Sequence, residues 1–283
     1  MDGKRTVLIT GANTGIGYET VRALWASRSA YHIILAGRSA DKVSTAISEL
    51  QSTPSGSGNS TLEPLTLDIS SDASIAAAFA HVQASHSHID VLINNAGISP
   101  DADLGAGRLN MREAWNMAWD TNVAGTQCMT YTFAPLLVAV DHKSEGENAR
   151  PDRRLLFVTS GLSSLIEEAE RSSPAEARRP MIPAGWPKPG VLAKGMFQSY
   201  QASKTGMNMM FLQWVRLLEP DGVKCFNISP GLLATTLGGN REMLKKMGAG
   251  DPSIGGEFIR DVVEGLRDGD KGRAIRRDMV QPW

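Results

Sequence analysis

Tyr200 and Lys204 stand four residues apart in Ser199-Tyr200-Gln201-Ala202-Ser203-Lys204, within a stretch of helical periodicity. On a helix this spacing puts both side chains on one face. A phenol titrates near 10, too high for a base at neutral pH. A neighbouring ammonium favours the phenolate and lowers that value towards the range useful for proton transfer. The pair therefore points to a general acid/base acting on an oxygen of a small substrate. Ser160, which ends Phe157-Val158-Thr159-Ser160, could hold the same oxygen by a hydrogen bond, with Ser163 and Ser164 as nearby competitors.

A second constellation suits a phosphate. Thr10-Gly11-Ala12-Asn13-Thr14-Gly15-Ile16-Gly17 follows a short apolar run and leads into helical periodicity. Gly11, Gly15 and Gly17 allow a sharp turn and close approach to a ligand. Amides at the start of the helix, aided by its dipole, would face a pyrophosphate. The spacing is Gx₃GxG, and a purely structural turn is the competing reading. The order strand, glycines, helix, strand favours dinucleotide binding. After the second run comes Ala36-Gly37-Arg38-Ser39, with no carboxylate before Asp41. Arg38 can pair a 2′-phosphate bidentately and Ser39 can add a hydroxyl, so the expected cofactor is NADP(H). A solvated arginine at a strand end is the alternative. Asp68 and Ile69, after the third run, are expected at the adenine edge, with Ser70 or Ser71 free to cap a helix.

The elements that must position these residues alternate regularly. Strands are expected at Thr6–Thr10, His32–Gly37, Leu62–Leu67, Val91–Asn94, Leu155–Thr159 and Val223–Ile228. Helices are expected at Ile16–Ser27, Asp41–Gln51, Asp72–Ser85, Asn110–Val140, Phe197–Leu218 and Ser253–Leu266. The strands read as nearly continuously apolar, as in sheets covered on both faces. Repeated β-α-β order predicts an α/β fold: one Rossmann-type, doubly wound parallel sheet in a single domain spanning residues 1–283. Thr53–Ser60 and Asp141–Asp152 read as surface connections. A proline-rich segment, about 165–196, interrupts the rhythm and holds at most one helical turn before its prolines.

Composition narrows the function. The chain has 283 residues and a net charge of −1, which gives no electrostatic case for nucleic acid or an anionic membrane. No apolar run approaches a membrane span. The two cysteines, Cys128 and Cys225, have no metal or disulfide spacing, so a reducing, cytoplasmic setting is expected. His86 and His88 lack a third ligand nearby in sequence, and no metal is expected.

Four more motifs complete a pattern: Asn94-Asn95-Ala96-Gly97, Asn122 in Thr121-Asn122-Val123-Ala124-Gly125, Ser160, and Tyr200-x-x-x-Lys204. With the glycine turn, they resemble the short-chain dehydrogenase/reductase family from Thr6 to about Gly265. The resemblance implies that Tyr200 donates a proton to a carbonyl oxygen, that Ser160 orients it, and that Lys204 also binds the nicotinamide ribose. It implies that Asn122 holds a water linking Lys204 to solvent, and that Asn95, Ala96 and Gly97 border the cofactor. Ser229-Pro230-Gly231-Leu232-Leu233-Ala234-Thr235-Thr236 resembles the family's Pro-Gly loop, with Pro230, Gly231, Leu233 and Thr235 at the nicotinamide carboxamide.

The 165–196 segment resembles the insertion of monomeric carbonyl reductases, so a monomer is expected, without excluding a homo-oligomer. Trp186, Met181, Ile182, Met196 and Phe197 are expected near substrate. Residues 236–250 read as a mobile lid, with Met243, Leu244 and Met247 either lining a pocket or simply packing. The substrate is expected to be a fairly large, weakly charged carbonyl compound or alcohol. A non-redox enzyme or cofactor-sensing binding protein on the same fold is the competing reading.

Overall fold

The computed structural model describes residues 4–139, 152–173, 176, 182–186, 188, 197–237 and 239–283. Seven strands form one parallel sheet: β1 (Arg5–Ile9), β2 (Tyr31–Gly37), β3 (Thr61–Thr66), β4 (Val91–Asn94), β5 (Arg154–Val158), β6 (Lys224–Ile228) and β7 (Ala274–Ile275). Their spatial order is β3-β2-β1-β4-β5-β6-β7, and every pairing is parallel. This is the Rossmann-type doubly wound arrangement. The order reverses between β1 and β4, the place where such sheets open a crevice at the carboxyl ends of their strands.

Each face of the sheet carries its own core. One includes Leu8, Ile34, Leu92, Leu155 and Phe157 under α3 (Asp72–Ser85), α6 (Thr126–Val138) and α8 (Gln198–Leu218). The other includes Val7, Ile9, Ile33, Leu35 and Ile93 under α1 (Gly15–Trp25), α2 (Ala40–Gln51) and α10 (Pro252–Val263). The alternation of side chains along each strand produces this division, since neighbours point to opposite faces.

Several expectations are corrected. The stretch expected as one helix from Asn110 is three pieces: α5 (Met111–Trp119), a π-helical segment (Asp120–Gly125) and α6. A wider turn there fits the close approach of Gly125 to β3's outgoing loop, where a Cβ would collide with the Ile69 carbonyl. The third strand is not continuously apolar. β3 lies at the sheet edge, most of its side chains are at least partly exposed, and it tolerates Pro64 for that reason. Helices α4 (Asp101–Gly105) and α9 (Arg241–Lys246), and strand β7, were not anticipated. The single turn expected before the prolines is α7 (Leu165–Glu170). No helix among the described residues is long and apolar enough to cross a membrane.

Candidate active site

The glycine turn leaves β1 at the reversal point. Gly11 and Gly15 take φ of +62° and +57°, which side chains with a Cβ rarely adopt. Gly17 is helical, but a Cβ there would run into the Gly11 carbonyl and the Asn95 amide. Thr14 precedes α1 with extended backbone, and its side chain makes no cap hydrogen bond. The first amides of α1 are thus available to an anion. Asn13 reaches across to β2, where a Cβ on Gly37 would meet Asn13 Oδ1 at 2.6 Å. These features fit a nicotinamide dinucleotide, whose pyrophosphate needs free amides and close backbone approach.

The turn is locked to the loop after β4. Thr10 Oγ1 accepts from Asn95 N (3.0 Å) and Ala96 N (2.9 Å), and Asn95 Nδ2 donates to the carbonyls of Thr10 (2.9 Å) and Gly11 (3.1 Å). Asn95 therefore braces the loops on both sides of the crevice. Ile16, Pro230 and Leu233 meet around Gly255 of α10, where a Cβ would lie within 3.5 Å of all three. Thr235 reaches Gly15, with its Cβ 3.7 Å from the position a Cβ would take there. Gly231, in the same Pro-Gly loop, has φ of +97°.

At the end of β2, Arg38 is exposed and electrostatically coupled to Asp68. Ser39 Oγ accepts from Lys42 N (3.4 Å) and caps α2, a use the phosphate expectation overlooked. Its hydroxyl proton is still available to a ligand. Asp68 accepts from Ser70 N (3.0 Å) and Ser70 Oγ (2.7 Å), while Ser71 caps α3. Burial alone would raise the Asp68 carboxyl, but these bonds and Arg38 hold it below the usual range. Ile69 is buried beside it.

Tyr200 and Lys204 sit one turn apart on α8. The Tyr200 ring is half-buried, its hydroxyl is close enough to Ser160 to be influenced by it, and Lys204 Nζ lies 5.8 Å from the ring centroid. Lys204 is only 3% exposed and donates to the Val158 carbonyl at 2.8 Å. Burial pushes the phenol up to about 12, against the lowering influence of the Ser160 hydroxyl, and the Asp101 carboxylate adds to the rise. Burial also brings the ammonium down to about 8. This corrects the expected effect of the lysine: desolvation outweighs any charge pairing between the two.

Ser160 is separated from its competitors by location. Ser163 is 1% exposed and tied to Thr159, Asn208 and the Ser160 carbonyl. Ser164 caps α7. Ser160 Oγ takes a 3.2 Å bond from Leu162 N and faces Tyr200. Asn122, fully buried in the π-helical segment, accepts from Ile98 N (2.8 Å) and donates to Ile98 O (2.9 Å) and Ser203 Oγ (2.9 Å). Both amide protons are used, so Asn122 clips the β4 loop to α8. A Cβ on Gly97 would lie 3.0 Å from Asn122 Oδ1 and 3.4 Å from Lys204 Nζ, which puts these three residues side by side.

Two important residues escaped sequence reasoning. Asp101, 5% exposed, accepts from Ser199 N (2.9 Å), Ser199 Oγ (3.0 Å) and Tyr200 N (3.1 Å). It caps α8 from the first turn of α4, distant in sequence, since Phe197 offers no side-chain cap of its own. Gln281, 2% exposed, donates to the Ser160 carbonyl at 3.2 Å. No local pattern marks either residue, because each partner is far away in sequence.

Other expectations fare differently. Trp186 and Ile182 are 87% and 50% exposed, and Phe197 is half-buried just before α8. Met181 and Met196 lie outside the described residues. The segment expected as a lid holds α9 and is pinned at its end by a Leu233–Gly250 bridge. Within it Leu244 is buried, Met243 exposed and Met247 half-buried, so the three do not form one lining. His86 turns away from His88, to Glu63.

The sequence profile of the short chain dehydrogenase family matches residues 5–148. The short-chain dehydrogenase/reductase eupG of Phoma sp is 48% identical over 99% of this chain and 98% of its own length. The short-chain dehydrogenase/reductase tropE of Talaromyces stipitatus is 41% identical over 100% and 99%. Among solved structures, the NADPH-bound carbonyl reductase from chicken fatty liver superposes with a TM-score of 0.73 at 21% identity, covering 99% of both chains. A 3-oxoacyl-acyl-carrier-protein reductase from Brucella melitensis in complex with NAD gives 0.72 at 19% identity, covering 98% of this chain and 96% of its own. Profile, full-length relatives and sheet order agree: this chain belongs to the short-chain dehydrogenase/reductase family of oxidoreductases.

Proposed function

We propose that this chain is an NADP(H)-dependent enzyme that interconverts a carbonyl compound and its alcohol, with Tyr200 as general acid/base. The observation that carries the reading is the placing of Tyr200 beside Ser160 and next to buried Lys204 on one face of α8, at the carboxyl edge of the sheet. When bound, the nicotinamide supplies or accepts the hydride. Positioning and proton transfer fall to the protein. Gly11, Asn13, Thr14, Gly15, Ile16 and Gly17 would hold the pyrophosphate, and Arg38 with Ser39 the 2′-phosphate. Asp68 and Ile69 would border the adenine. Asn95, Ala96 and Gly97 would form the crevice wall. Lys204 would bind the nicotinamide ribose, and Pro230, Gly231, Leu233 and Thr235 the carboxamide.

A phenol held near 12 stays protonated at neutral pH, so Tyr200 is set as the proton donor in the reductive direction. Ser160 would hold the carbonyl oxygen against the phenol. The choice of NADP(H) rests on Arg38, because the two structural neighbours carry different cofactors.

Tyr200→Phe tests the chemistry. Against a panel of ketones and aldehydes, NADPH oxidation should fall at least about 100-fold, while NADPH fluorescence still reports binding. Near-normal turnover would overturn the assignment. For the cofactor, Arg38→Asp should weaken NADPH far more than NADH. Equal use of both by the wild type would refute the phosphate role.

A further inference from the structure

Towards the amino ends of the strands, away from Tyr200, three imidazoles converge on one carboxylate. His32 is in β2 and Glu63 in the neighbouring edge strand β3, whose register pairs His32 with Thr61 and Ile34 with Glu63. His81 lies in α3 and His86 is that helix's C-cap. His32 Nε2 is 2.7 Å and His86 Nε2 2.9 Å from the same oxygen, Glu63 Oε2. His81 Nε2 is 3.3 Å from Oε1. The side chains of His86, Glu63 and His32 are 10%, 19% and 24% exposed, enclosed yet reachable from solvent.

We propose that His32, Glu63 and His86, with His81 as fourth donor, bind a divalent cation of the zinc class. The donor atoms of the first three lie within 4.8 Å of one another. Imidazole nitrogen and carboxylate oxygen are donors that zinc accepts at about 2.0–2.2 Å in tetrahedral sites. Around such an ion the donors stand roughly 3.3 Å apart, so the His32–Glu63 and His86–Glu63 pairs would each open by only about half an ångström, and the more exposed His81 would swing in to complete the set. Coordination uses the Nε2 lone pairs, so each ring must carry its proton on Nδ1. For His32 the acceptor is in place: Nδ1 lies 2.8 Å from Thr61 Oγ1. A metal-bound histidine ordinarily needs such a partner on its other nitrogen.

The location suggests what the ion does. The cluster joins β2, β3 and the C-terminal end of α3. β3 is one of the two edge strands and the most exposed, so a cation there ties down that edge of the sheet. His32 is also about 16 Å along β2 from Gly37, where Arg38 begins the cofactor region. The ion is therefore a staple for the fold, separate from the redox site.

Calorimetric titration of the chelator-treated full chain with Zn²⁺ tests this, with Co²⁺ absorption as an optical readout. The expected result is one equivalent bound at micromolar half-saturation, tetrahedral Co²⁺ bands, and a Tm that rises with Zn²⁺. His32→Ala and His86→Ala should each weaken binding more than about tenfold, the scale on which even outer partners of metal ligands count. His81→Ala should weaken it less. His88→Ala should bind as the wild type, since His88 faces Asp90 at 3.5 Å. Far-UV circular dichroism checks that each variant folds, and His86→Gln carries the test if His32→Ala does not. Absence of saturable Zn²⁺ binding, or wild-type binding by both His86 variants, would overturn the site. The cluster would then be only a hydrogen-bonded ion-pair group.

Discussion

Lys204 shows how one buried charge shapes behaviour at the residue scale. Its ammonium is held at about 8 against an ordinary 10.5, by burial. The unfolded chain therefore binds more protons than the native one between those two pH values, and stability rises with pH across that window. The native protein bears the cost of a buried charge below pH 8 and loses it by pH 10.5. Lys204→Met removes the titration, so the wild type should gain on the variant by on the order of 3 kcal/mol from pH 8 to 10.5. Urea unfolding at the two pH values measures the difference. Identical pH slopes in both proteins would mean that Lys204 titrates normally. Tyr200 works in the opposite sense at higher pH. Its raised phenol keeps its proton after the unfolded tyrosine has lost it, so its contribution falls as pH rises from 10 to about 12.

At the scale of elements, α8 carries Tyr200 and Lys204, the proposed acid/base pair, yet its start depends on another segment. The carboxylate of Asp101 satisfies the Ser199 and Tyr200 amides, which otherwise lack intrahelical partners. Asp101→Ala should cost about 2 kcal/mol of stability, the scale of a lost N-cap with buried donors left unpaired. Because Tyr200 lies in the loosened turn, kcat should fall more than KM rises. Asp101→Asn keeps an acceptor and should recover much of both. Thermal unfolding and steady-state kinetics on the three proteins distinguish a positioning role from bulk destabilisation. The π-helical segment does similar work for Asn122, widening the turn so that its amide reaches both Ile98 and Ser203.

Across the whole molecule, the C-terminal tail closes the site from behind. Gln281 bonds the Ser160 carbonyl, Trp283 O accepts from Ile166 N at 2.8 Å, and Arg276 pairs with Glu167 at 2.5 Å. Ser160 is thus held by a residue 121 positions later. Gln281→Ala should destabilise the fold by about 1 kcal/mol and lower kcat severalfold, with cofactor affinity unchanged. A kcat equal to wild type would show that the tail serves stability alone. On the opposite face of α8, Trp119 packs on Gly206 and borders an open surface groove with Met210 and Gln127. Neither Tyr200 nor Lys204 lines that groove.

The sequence by itself determined the α/β class and six of seven strands to within a residue or so at each end, while the gathering of the main motifs into one site was implied only by the family resemblance. Those readings rest on local physics: β-branched runs, helical spacing, and glycines where a turn needs positive φ, as at Gly11 and Gly15. The spacing of Tyr200 and Lys204 needed only a helix to become a shared face. Tertiary structure decided the rest. It alone brought Asp101 to α8, Gln281 to Ser160, and His32 with Glu63 to His86. It also reversed the expected effect on Tyr200, because desolvation depends on what surrounds a group in space. Short β7 carries too little pattern to read, and exists because β6 offers it an edge. Contacts between residues far apart in the chain leave no periodicity behind, so only the packed molecule reveals them.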